Sequence, residues 1–249
     1  MGVVNLKMQT MRKNVLALFL LAIGAASAHA EMLQGVIFPI KSVGVSSPVL
    51  QEIITDVLVK EGTTVKEGQI IVELRKEREE LDVRLSEKLI DLKRFIARGQ
   101  EKLFKEQMGS EEKALEAKTD LELAQLQMEA KKVALQEKTI RAPLDGIVVK
   151  KYKEPGESVA REEKLVDIVN IDQVNARFYL PPNLRKSVKE QEVVPVKIGD
   201  LDGVEFKGKI TYIDPRNDAA SGLVQVWVEI ENKEHRIKPG MKGSAEFGK

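Results

Sequence analysis

The sequence predicts a mainly β protein with an inserted α-helical coiled-coil hairpin. Residues 75–138 contain no proline and only two glycines, Gly99 and Gly109, and their apolar side chains recur every three to four positions among charges of alternating sign. This pattern is typical of two long helices folded back on each other. The flanking segments consist of short apolar runs separated by Gly, Ser and Pro, which favour strands. We therefore expect a β-sandwich split by the hairpin, over residues 31–74 and 139–170, and a small antiparallel β-barrel over residues 171–249.

The first 30 residues are predicted to be a cleaved signal peptide rather than part of the fold. Three basic side chains precede the apolar run Val15–Gly24, which is too short to span a bilayer comfortably. Ala28-His29-Ala30 supplies the small-residue cleavage pattern, so cleavage is expected before Glu31. An uncleaved membrane anchor is the alternative interpretation. Either interpretation predicts export from the cytoplasm.

Composition and motifs argue against several classes of function. Of the 40 basic and 39 acidic side chains, three basic ones lie in the leader, so the expected mature net charge is near −2 and predicts no nucleic-acid partner. The chain has no cysteine, which excludes disulfides and thiolate metal sites. His235 is the one histidine beyond the leader, and no phosphate-binding glycine motif occurs. We therefore predict no enzymatic activity, no cofactor and no metal.

The two β-rich segments that flank the hairpin are related to each other in sequence. Pro48 corresponds to Pro143, and Ile53-Ile54 corresponds to Ile147-Val148. Gly62, Val65 and Ile71 correspond to Gly156, Val159 and Leu165 at a constant offset of 94 residues. Internal self-similarity of this kind is a signal of fold, and each copy is too short to bury a core alone. The two copies are therefore expected to pack into one sandwich.

These two halves resemble the split lipoyl (biotinyl-carrier-like) domain of periplasmic adaptor proteins, also called membrane fusion proteins. Residues 141–148, RAPLDGIV, are similar to the R-A-P-x-D-G-x-V start of the second half in that family. Residues 59–69, VKEGTTVKEGQ, are similar to V-K-E-G-x-x-V-x-x-G-Q of the first half. The resemblance implies structural turn positions at Gly62, Gly68, Pro143, Gly146 and Gly156.

A covalent cofactor carrier is an alternative that the resemblance raises. True lipoyl or biotinyl carriers place an acceptor lysine at the turn that joins the two halves, whereas here the helical segment replaces that turn. No Asp-Lys-Ala or Met-Lys-Met sequence occurs there, and Met241-Lys242-Gly243 lies far away in the chain. We therefore predict that no lipoyl or biotinyl group is attached.

The helical segment can be divided into heptads that predict which side chains form the seam between its two helices. The turn is expected at Met108-Gly109-Ser110, with Gly109 in the left-handed position after the first helix and Ser110 as N-cap of the second. The predicted seam of the first helix is Leu85, Leu89, Leu92, Ile96, Gly99 and Leu103; that of the second is Ala114, Ala117, Leu121, Ala124, Met128 and Leu135, with Lys131 in one position.

The predicted turn also resembles the family pattern for docking to a TolC-like outer-membrane channel, which is Arg, three residues, Leu, six residues, Ser. Leu103 and Ser110 have the Leu-to-Ser spacing, but Gly99 occupies the arginine position and Arg98 lies one residue away. The resemblance implies a channel-docking tip formed by Arg98, Leu103, Met108, Gly109 and Ser110. Helix capping is the alternative role of Ser110.

Residues 171–249 are predicted to form the barrel. Val224, Val226, Val228 and Ile230 alternate with polar side chains, as in a half-buried strand. Gly208-Lys209-Ile210, Ile213-Asp214-Pro215 and Lys238-Pro239-Gly240-Met241 are similar to the adaptor family's barrel sequences. Because the sequence stops at Lys249, the resemblance is to a short form that lacks the membrane-proximal domain.

The resemblance as a whole implies a non-enzymatic adaptor of the HlyD-like and RND-type efflux family. Such a protein lies in the periplasm, peripherally associated with the cell envelope, and links an inner-membrane exporter of RND or ABC type to a TolC-like outer-membrane channel. It assembles as a homo-oligomer, typically a hexamer. A free-standing periplasmic scaffold that binds another coiled coil remains the alternative. The sequence does not indicate which substrate is exported.

Overall fold

The structure, a computed structural model, describes residues 31–201 and 204–248. The predicted signal peptide lies outside the described residues. The described chain forms two units, residues 39–174 with 232–238 (the sandwich unit) and residues 31–38, 175–201, 204–231 and 239–248 (the barrel unit). The strands are β1 Glu31–Ser46, β2 Gln51–Val57, β3 Thr64–Val65, β4 Ile70–Leu74, β5 Thr139–Arg141, β6 Gly146–Lys151, β7 Ser158–Ala160, β8 Lys164–Leu180, β9 Val193–Ile198, β10 Glu205–Ile213, β11 Val224–Glu231 and β12 Lys242–Phe247; the helices are α1 Glu77–Lys105 and α2 Glu111–Gln136.

The sandwich unit is built from strands of both sequence copies. One layer has the strand order β5-β4-β2-β7, and β3 pairs with β6, which pairs with the first residues of β8. Their apolar side chains form one core, in which Ile54, Val65 and Ile71 from the first copy lie with Val148, Val159 and Leu165 from the second. The prediction that the two copies pack into one sandwich is confirmed.

An approximate two-fold symmetry relates the two copies down to single hydrogen bonds. The Gly62 amide donates to the Val148 carbonyl, and the Gly156 amide donates to the Ile54 carbonyl, both at 2.8 Å. Gly62 and Gly156 are equivalent positions at the offset of 94 residues, and so are Ile54 and Val148. In the first bond the donor belongs to the first copy, and in the second bond it belongs to the second copy. Each copy therefore closes its glycine turn on a strand of the other copy, so neither half is a complete folding unit.

The helices α1 and α2 pack against each other as an antiparallel hairpin within the sandwich unit. The 29 residues of α1 make it about 43 Å long at 1.5 Å per residue. In α2, the predicted seam is confirmed: Ala117 and Ala124 are buried, and the other predicted apolar seam residues are half-buried. Lys131, in its seam position, makes an ion pair with Asp82 of α1 at 3.1 Å.

The predicted seam of α1 is wrong by one residue. The buried side chains are Val83 and Ile90, with Ser86 and Ala97 half-buried between and beyond them. The small alanines of α2 let the helices approach closely. Two ion pairs, Lys93 to Asp120 and Lys131 to Asp82, also join the helices in this rotation of α1. The predicted seam residues Leu85, Leu89, Leu92, Ile96 and Leu103 are instead exposed.

The barrel unit is an antiparallel barrel, as the sequence predicts. The first residues of β1 and the last of β8 flank the order β12-β9-β10-β11, and a pairing between β1 and β8 closes the set. The alternating residues of β11 point inward as predicted, since Val224, Val226, Val228 and Ile230 are fully buried. Phe178 and Phe247 meet edge to face in this core, with ring centroids 5.2 Å apart.

Candidate functional site

The turn between α1 and α2 is a tightly closed helix end. The Gln107 amide donates to the Phe104 carbonyl at 3.0 Å, and the Met108 amide donates to the Leu103 carbonyl at 2.8 Å. These two bonds form the Schellman motif, which satisfies carbonyls left free at a helix C-terminus. The left-handed residue of the motif is Gln107, with φ of 62°, so the prediction that Gly109 holds this position is wrong.

Gly109 has a different role at the turn, because the chain passes close to the end of α1 there. A Cβ on Gly109 would lie 3.1 Å from the Leu103 Cβ and 3.2 Å from the Phe104 backbone nitrogen. Ser110 takes the predicted N-cap position of α2: its backbone is extended, and its Oγ accepts a hydrogen bond of 3.3 Å from the Lys113 amide. The prediction for Ser110 as a cap is therefore confirmed.

The structure brings together most of the predicted tip residues. Leu103, Met108, Gly109 and Ser110 lie at the turn, where Met108 is 75% and Leu103 40% exposed. Arg98 is five residues before Leu103, about 7.5 Å further down α1, and lines a groove of about 570 Å³ between the two helices. Phe104, which the sequence analysis missed, is also exposed beside Leu103. The tip thus presents exposed apolar side chains on a turn closed by backbone hydrogen bonds.

Two glycines of the hairpin are expected to respond to alanine in opposite directions. Gly99 lies inside α1 with open space around its Cα, so Gly99→Ala should raise the free energy of unfolding by about 0.5–1 kcal/mol. Gly109→Ala should lower it, because its methyl group meets backbone atoms of α1. Denaturation followed by circular dichroism measures both changes. A loss of stability in Gly99→Ala would contradict the exposed position assigned to Gly99.

A buried ion-pair network lies at the root of the hairpin, where α2 returns to the sandwich. The Lys138 Nζ lies 2.6 Å from a Glu52 oxygen on β2 and 3.1 Å from a Glu79 oxygen on α1, and the Lys138 side chain is only 8% exposed. Arg75 lies 3.3 Å from the other Glu52 oxygen. The network joins the sandwich sheet and both ends of the hairpin. The sequence analysis missed it, because only the fold brings these distant residues together.

The ion pairs within the network favour the charged forms of Lys138 and Glu52. Burial disfavours the charge on Lys138, but hydrogen bonds to Glu52 and Glu79 outweigh burial and raise the pKa of Lys138. Burial likewise acts to raise the pKa of Glu52, but the hydrogen bond from Lys138, followed by smaller contributions that include Arg75, lowers it overall. Lys138 therefore joins β2 to the first turn of α1 through two ion pairs at the hairpin root.

The turn residues of the sandwich behave in two ways. Gly62, Gly68 and Gly156 have φ values of 87°, 79° and 90°, which side chains rarely adopt. Gly146 is constrained by space instead, since a Cβ there would lie 2.5 Å from the Val169 carbonyl oxygen. Pro143 lies in the bend between β5 and β6. The five residues are spread over several turns of the sandwich and do not form one site.

No group of three or more His, Asp or Glu side chains within residues 31–201 and 204–248 is arranged to hold a metal ion. The place where carriers hold their acceptor lysine is filled by the hairpin, and Lys138 at that junction is buried in ion pairs.

None of the helices in the described part of the chain is long and apolar enough to cross a membrane.

Comparison with known proteins gives matches over both units. Residues 42–170 match the family described as CzcB-like, barrel-sandwich hybrid domain, and residues 174–249 match the family described as CusB-like, beta-barrel domain. The cobalt-zinc-cadmium resistance protein CzcB of Cupriavidus metallidurans is 24% identical over 211 residues, which cover 78% of this chain and 40% of that protein. The nodulation protein NolF of Rhizobium meliloti is 23% identical over 127 residues, 51% of this chain and 35% of that protein.

A solved structure shares the fold. A MacA-MexA chimeric protein containing the Pseudomonas aeruginosa MexA α-hairpin domain superimposes with a TM-score of 0.78 at 20% identity, covering 88% of this chain and 80% of the chimera. The chain spans less than half the length of the two curated relatives named above. Since the barrel-sandwich hybrid match covers more than half of the chain, the chain belongs to the CzcB-like barrel-sandwich hybrid family, and its second unit matches the CusB-like beta-barrel family.

Proposed function

We propose that this protein is the periplasmic adaptor of a tripartite efflux or secretion system. It links an inner-membrane exporter of RND or ABC type to a TolC-like outer-membrane channel, as a homo-oligomer that is typically a hexamer in this family. It reaches the periplasm through its signal peptide and remains peripherally associated with the cell envelope. It performs no catalysis and attaches no lipoyl or biotinyl group.

The hairpin tip is the observation that carries this proposal. A turn at the surface of a soluble protein is normally polar, yet this one exposes Leu103, Phe104 and Met108 at the end of two helices that are about 43 Å and about 39 Å long. The Schellman bonds and the Ser110 cap close the backbone of the turn that carries these side chains. An ordered apolar tip at the end of a long stalk is suited to docking against another helical end. We therefore propose that the outer-membrane channel docks at the tip of the hairpin. The residues proposed for this contact are Arg98, Leu103, Met108, Gly109 and Ser110.

Affinity purification from crosslinked cell envelopes tests the proposal. The tagged protein is expected to bring down an exporter and an outer-membrane channel together. Met108→Asp and Leu103→Ser should lose the channel and keep the exporter, because they remove apolar tip surface while leaving the turn's backbone hydrogen bonds in place. Leu81 near the hairpin root is 51% exposed, between Leu103 and Met108, so Leu81→Ser is the matched control and should keep both partners.

Two results would contradict the proposal. If the wild-type protein captures neither an exporter nor a channel, it is a scaffold with other partners. If Met108→Asp and Leu103→Ser capture as much channel as Leu81→Ser, the channel does not dock at the tip. Circular dichroism of each variant shows whether the helices have remained intact.

A further inference from the structure

The segment that joins β11 to β12, residues 232–238, is fastened to the sandwich at its first residue. The segment belongs to the sandwich unit, although both strands that it joins belong to the barrel unit. Asn232 is only 4% exposed, and its side-chain Nδ2 donates to the carbonyls of Ile171 and Ile237, both at 2.8 Å. Its Oδ1 accepts from the Ile237 amide at 2.9 Å, and its own amide donates to the Asp172 carbonyl at 2.8 Å. This first anchor uses amide and backbone groups alone, so it does not depend on pH.

His235 forms a second anchor in the middle of the segment. Its Nε2 lies 2.7 Å from the Asp172 Oδ1 on β8, and its amide donates to the Asn232 carbonyl at 2.8 Å. Its φ of 52° lies in the left-handed region, which costs free energy for a residue with a side chain. The contact with Asp172 therefore offsets strain in the backbone of the segment. The side chains of His235 and Asp172 are 36% and 62% exposed, so both exchange protons with the solvent.

Charged groups approach His235 from its own segment and from β8. The charged side chains of the segment are Lys233, Glu234, Arg236 and Lys238. On β8, Asp172 supplies the carboxylate that contacts the imidazole. The Asn170 Nδ2 donates to the Asp172 Oδ2 at 3.1 Å and to the backbone carbonyl of Asp145, just before β6, at 2.9 Å. Asn170 thereby holds one oxygen of Asp172 while the other oxygen meets His235.

Asp172 and His235 favour each other's charged forms. The hydrogen bond with His235 is the largest influence on the pKa of Asp172 and lowers it, while burial acts in the opposite direction. Since coupling between two sites is reciprocal, the carboxylate favours the protonated imidazole in turn. A charge-assisted hydrogen bond is roughly twice as strong as a neutral one. Protonation of His235 therefore tightens the second anchor.

The direction of the pH dependence follows from these two groups. The contribution of the Asp172 carboxylate is complete above its unfolded-state pKa and is lost as the pH falls through its lowered folded value. The contribution of an imidazolium is complete in acid and is lost as the pH rises through the range in which histidine changes charge, about pH 5 to pH 8. The second anchor is therefore tightest in mildly acidic solution and loosens on either side of it.

We propose that His235 and Asp172 form a pH-sensitive clasp, which fastens the middle of segment 232–238 to β8 in mildly acidic solution and releases it as the pH rises. On release, the left-handed strain at His235 is no longer offset, whereas the bonds of Asn232 keep the first residue of the segment in place. The connection between β11 and β12 then gains freedom of movement. The inference goes beyond the proposed function and does not depend on any partner protein.

Hydrogen–deuterium exchange of the mature protein, followed by mass spectrometry, tests the clasp. The readout is the backbone exchange of a peptide that covers residues 232–238, corrected for the intrinsic pH dependence of amide exchange. Between about pH 6 and about pH 8.5, this exchange should become about two- to five-fold faster, the factor that an exposed ion pair supplies. A peptide from β11, whose amides lie in a strand ladder, should show no such change.

A second readout follows the titration of His235 itself. Deuterium exchange at the imidazole Cε1 reports its protonation, and the signal is unambiguous because His235 is the one histidine beyond the leader. Asp172→Asn removes the carboxylate and keeps the size of the side chain. It should lower the titration midpoint of His235 by about 0.3–0.7 pH unit and remove most of the pH dependence of the segment.

Glu234→Gln is the matched control for Asp172→Asn. Glu234 also carries a carboxylate and directly precedes His235, but it lies 3.9 Å from Arg236 and is 78% exposed. Its replacement should leave the midpoint of His235 and the pH dependence of the segment close to those of the wild type.

His235→Gly tests the clasp by a route that keeps Asp172. Glycine adopts a left-handed backbone without strain and does not titrate, so the segment should exchange at one corrected rate at both pH values. The proposal is overturned if the wild-type segment shows no more pH dependence than β11, if Asp172→Asn leaves the midpoint of His235 unchanged, or if His235→Gly retains the wild-type pH dependence.

Discussion

Replacing Lys138 by methionine is expected to lower the free energy of unfolding by about 3 kcal/mol. The substitution keeps the length and the apolar stem of the side chain but removes the charge that pairs with Glu52 and Glu79. Removing one partner of a buried ion pair leaves the other charge uncompensated, and such losses are typically about 3–5 kcal/mol. Denaturation of the mature protein, followed by its helical circular dichroism, measures the change.

The pH dependence of this loss has a defined direction. The lowered pKa of Glu52 means that its contribution is complete above its unfolded-state pKa and is lost as the pH falls through its folded value. The raised pKa of Lys138 means that its contribution is complete below its unfolded-state pKa and is lost as the pH rises through its folded value. The deficit of Lys138→Met should therefore be largest between about pH 5 and pH 10 and shrink in acid.

Lys131→Met is the matched control for Lys138→Met. Lys131 also joins the two sides of the hairpin by an ion pair, with Asp82, but its side chain is 50% exposed. Exposed ion pairs contribute about 0–1 kcal/mol, so the control should change stability little. Equal losses in the two variants would mean that the burial of Lys138 is unimportant.

Gly146→Ala is the second substitution expected to have a large effect, with a loss of about 3 kcal/mol. Its Cβ would lie 2.5 Å from the Val169 carbonyl oxygen and 2.9 Å from the Ile168 Cγ2, both on β8. A backbone carbonyl cannot move aside as the end of a flexible side chain can, so β6 must separate from β8 or shift its register. Overpacking of this kind typically costs about 1–3 kcal/mol, and here it also disturbs strand pairing.

Gly156→Ala distinguishes lack of space from backbone strain. Nothing lies within 4 Å of a Cβ built on Gly156, and its φ of 90° imposes a strain of about 1–2 kcal/mol on alanine. Thermal unfolding should therefore rank wild type above Gly156→Ala and Gly156→Ala above Gly146→Ala. A reversed order of the two variants would show that β8 adapts to the added methyl group.

The internal repeat made the sandwich predictable from the sequence. The offset of 94 residues identified equivalent positions, and Val65 and Val159 are indeed equally buried. The glycines of both copies, Gly62 and Gly156, share nearly the same φ. A repeat carries this much information because each match constrains two places in the fold at once. The barrel strands were predictable for the simpler reason that alternating side chains such as those of β11 fit one half-buried strand.

The α1 seam was not predictable from the helix alone, because α1 has two candidate apolar faces. Leu85 and Leu89 form the larger face, and Val83 and Ile90 form the smaller one that is buried. The choice depends on the alanines of the other helix and on ion pairs across the hairpin, which a heptad pattern within one helix does not contain. Gln107 was missed for a related reason, since glycine is the usual left-handed residue at a helix end and Gly109 lies two residues away.

The exchange of hydrogen bonds between the two sandwich halves makes the order of folding events important. Ile54 and Gly156 must meet across about a hundred residues, and closing so long a loop carries an entropic cost. Because the contacts within the hairpin are closer in sequence than those between the sandwich halves, we expect it to form first. In the folded protein the Leu74 amide lies 2.8 Å from the Lys138 carbonyl at its root. The remaining chain to be closed is then short on both sides. We therefore expect the long helices to act as an internal folding scaffold that brings the second half of the sandwich to the first.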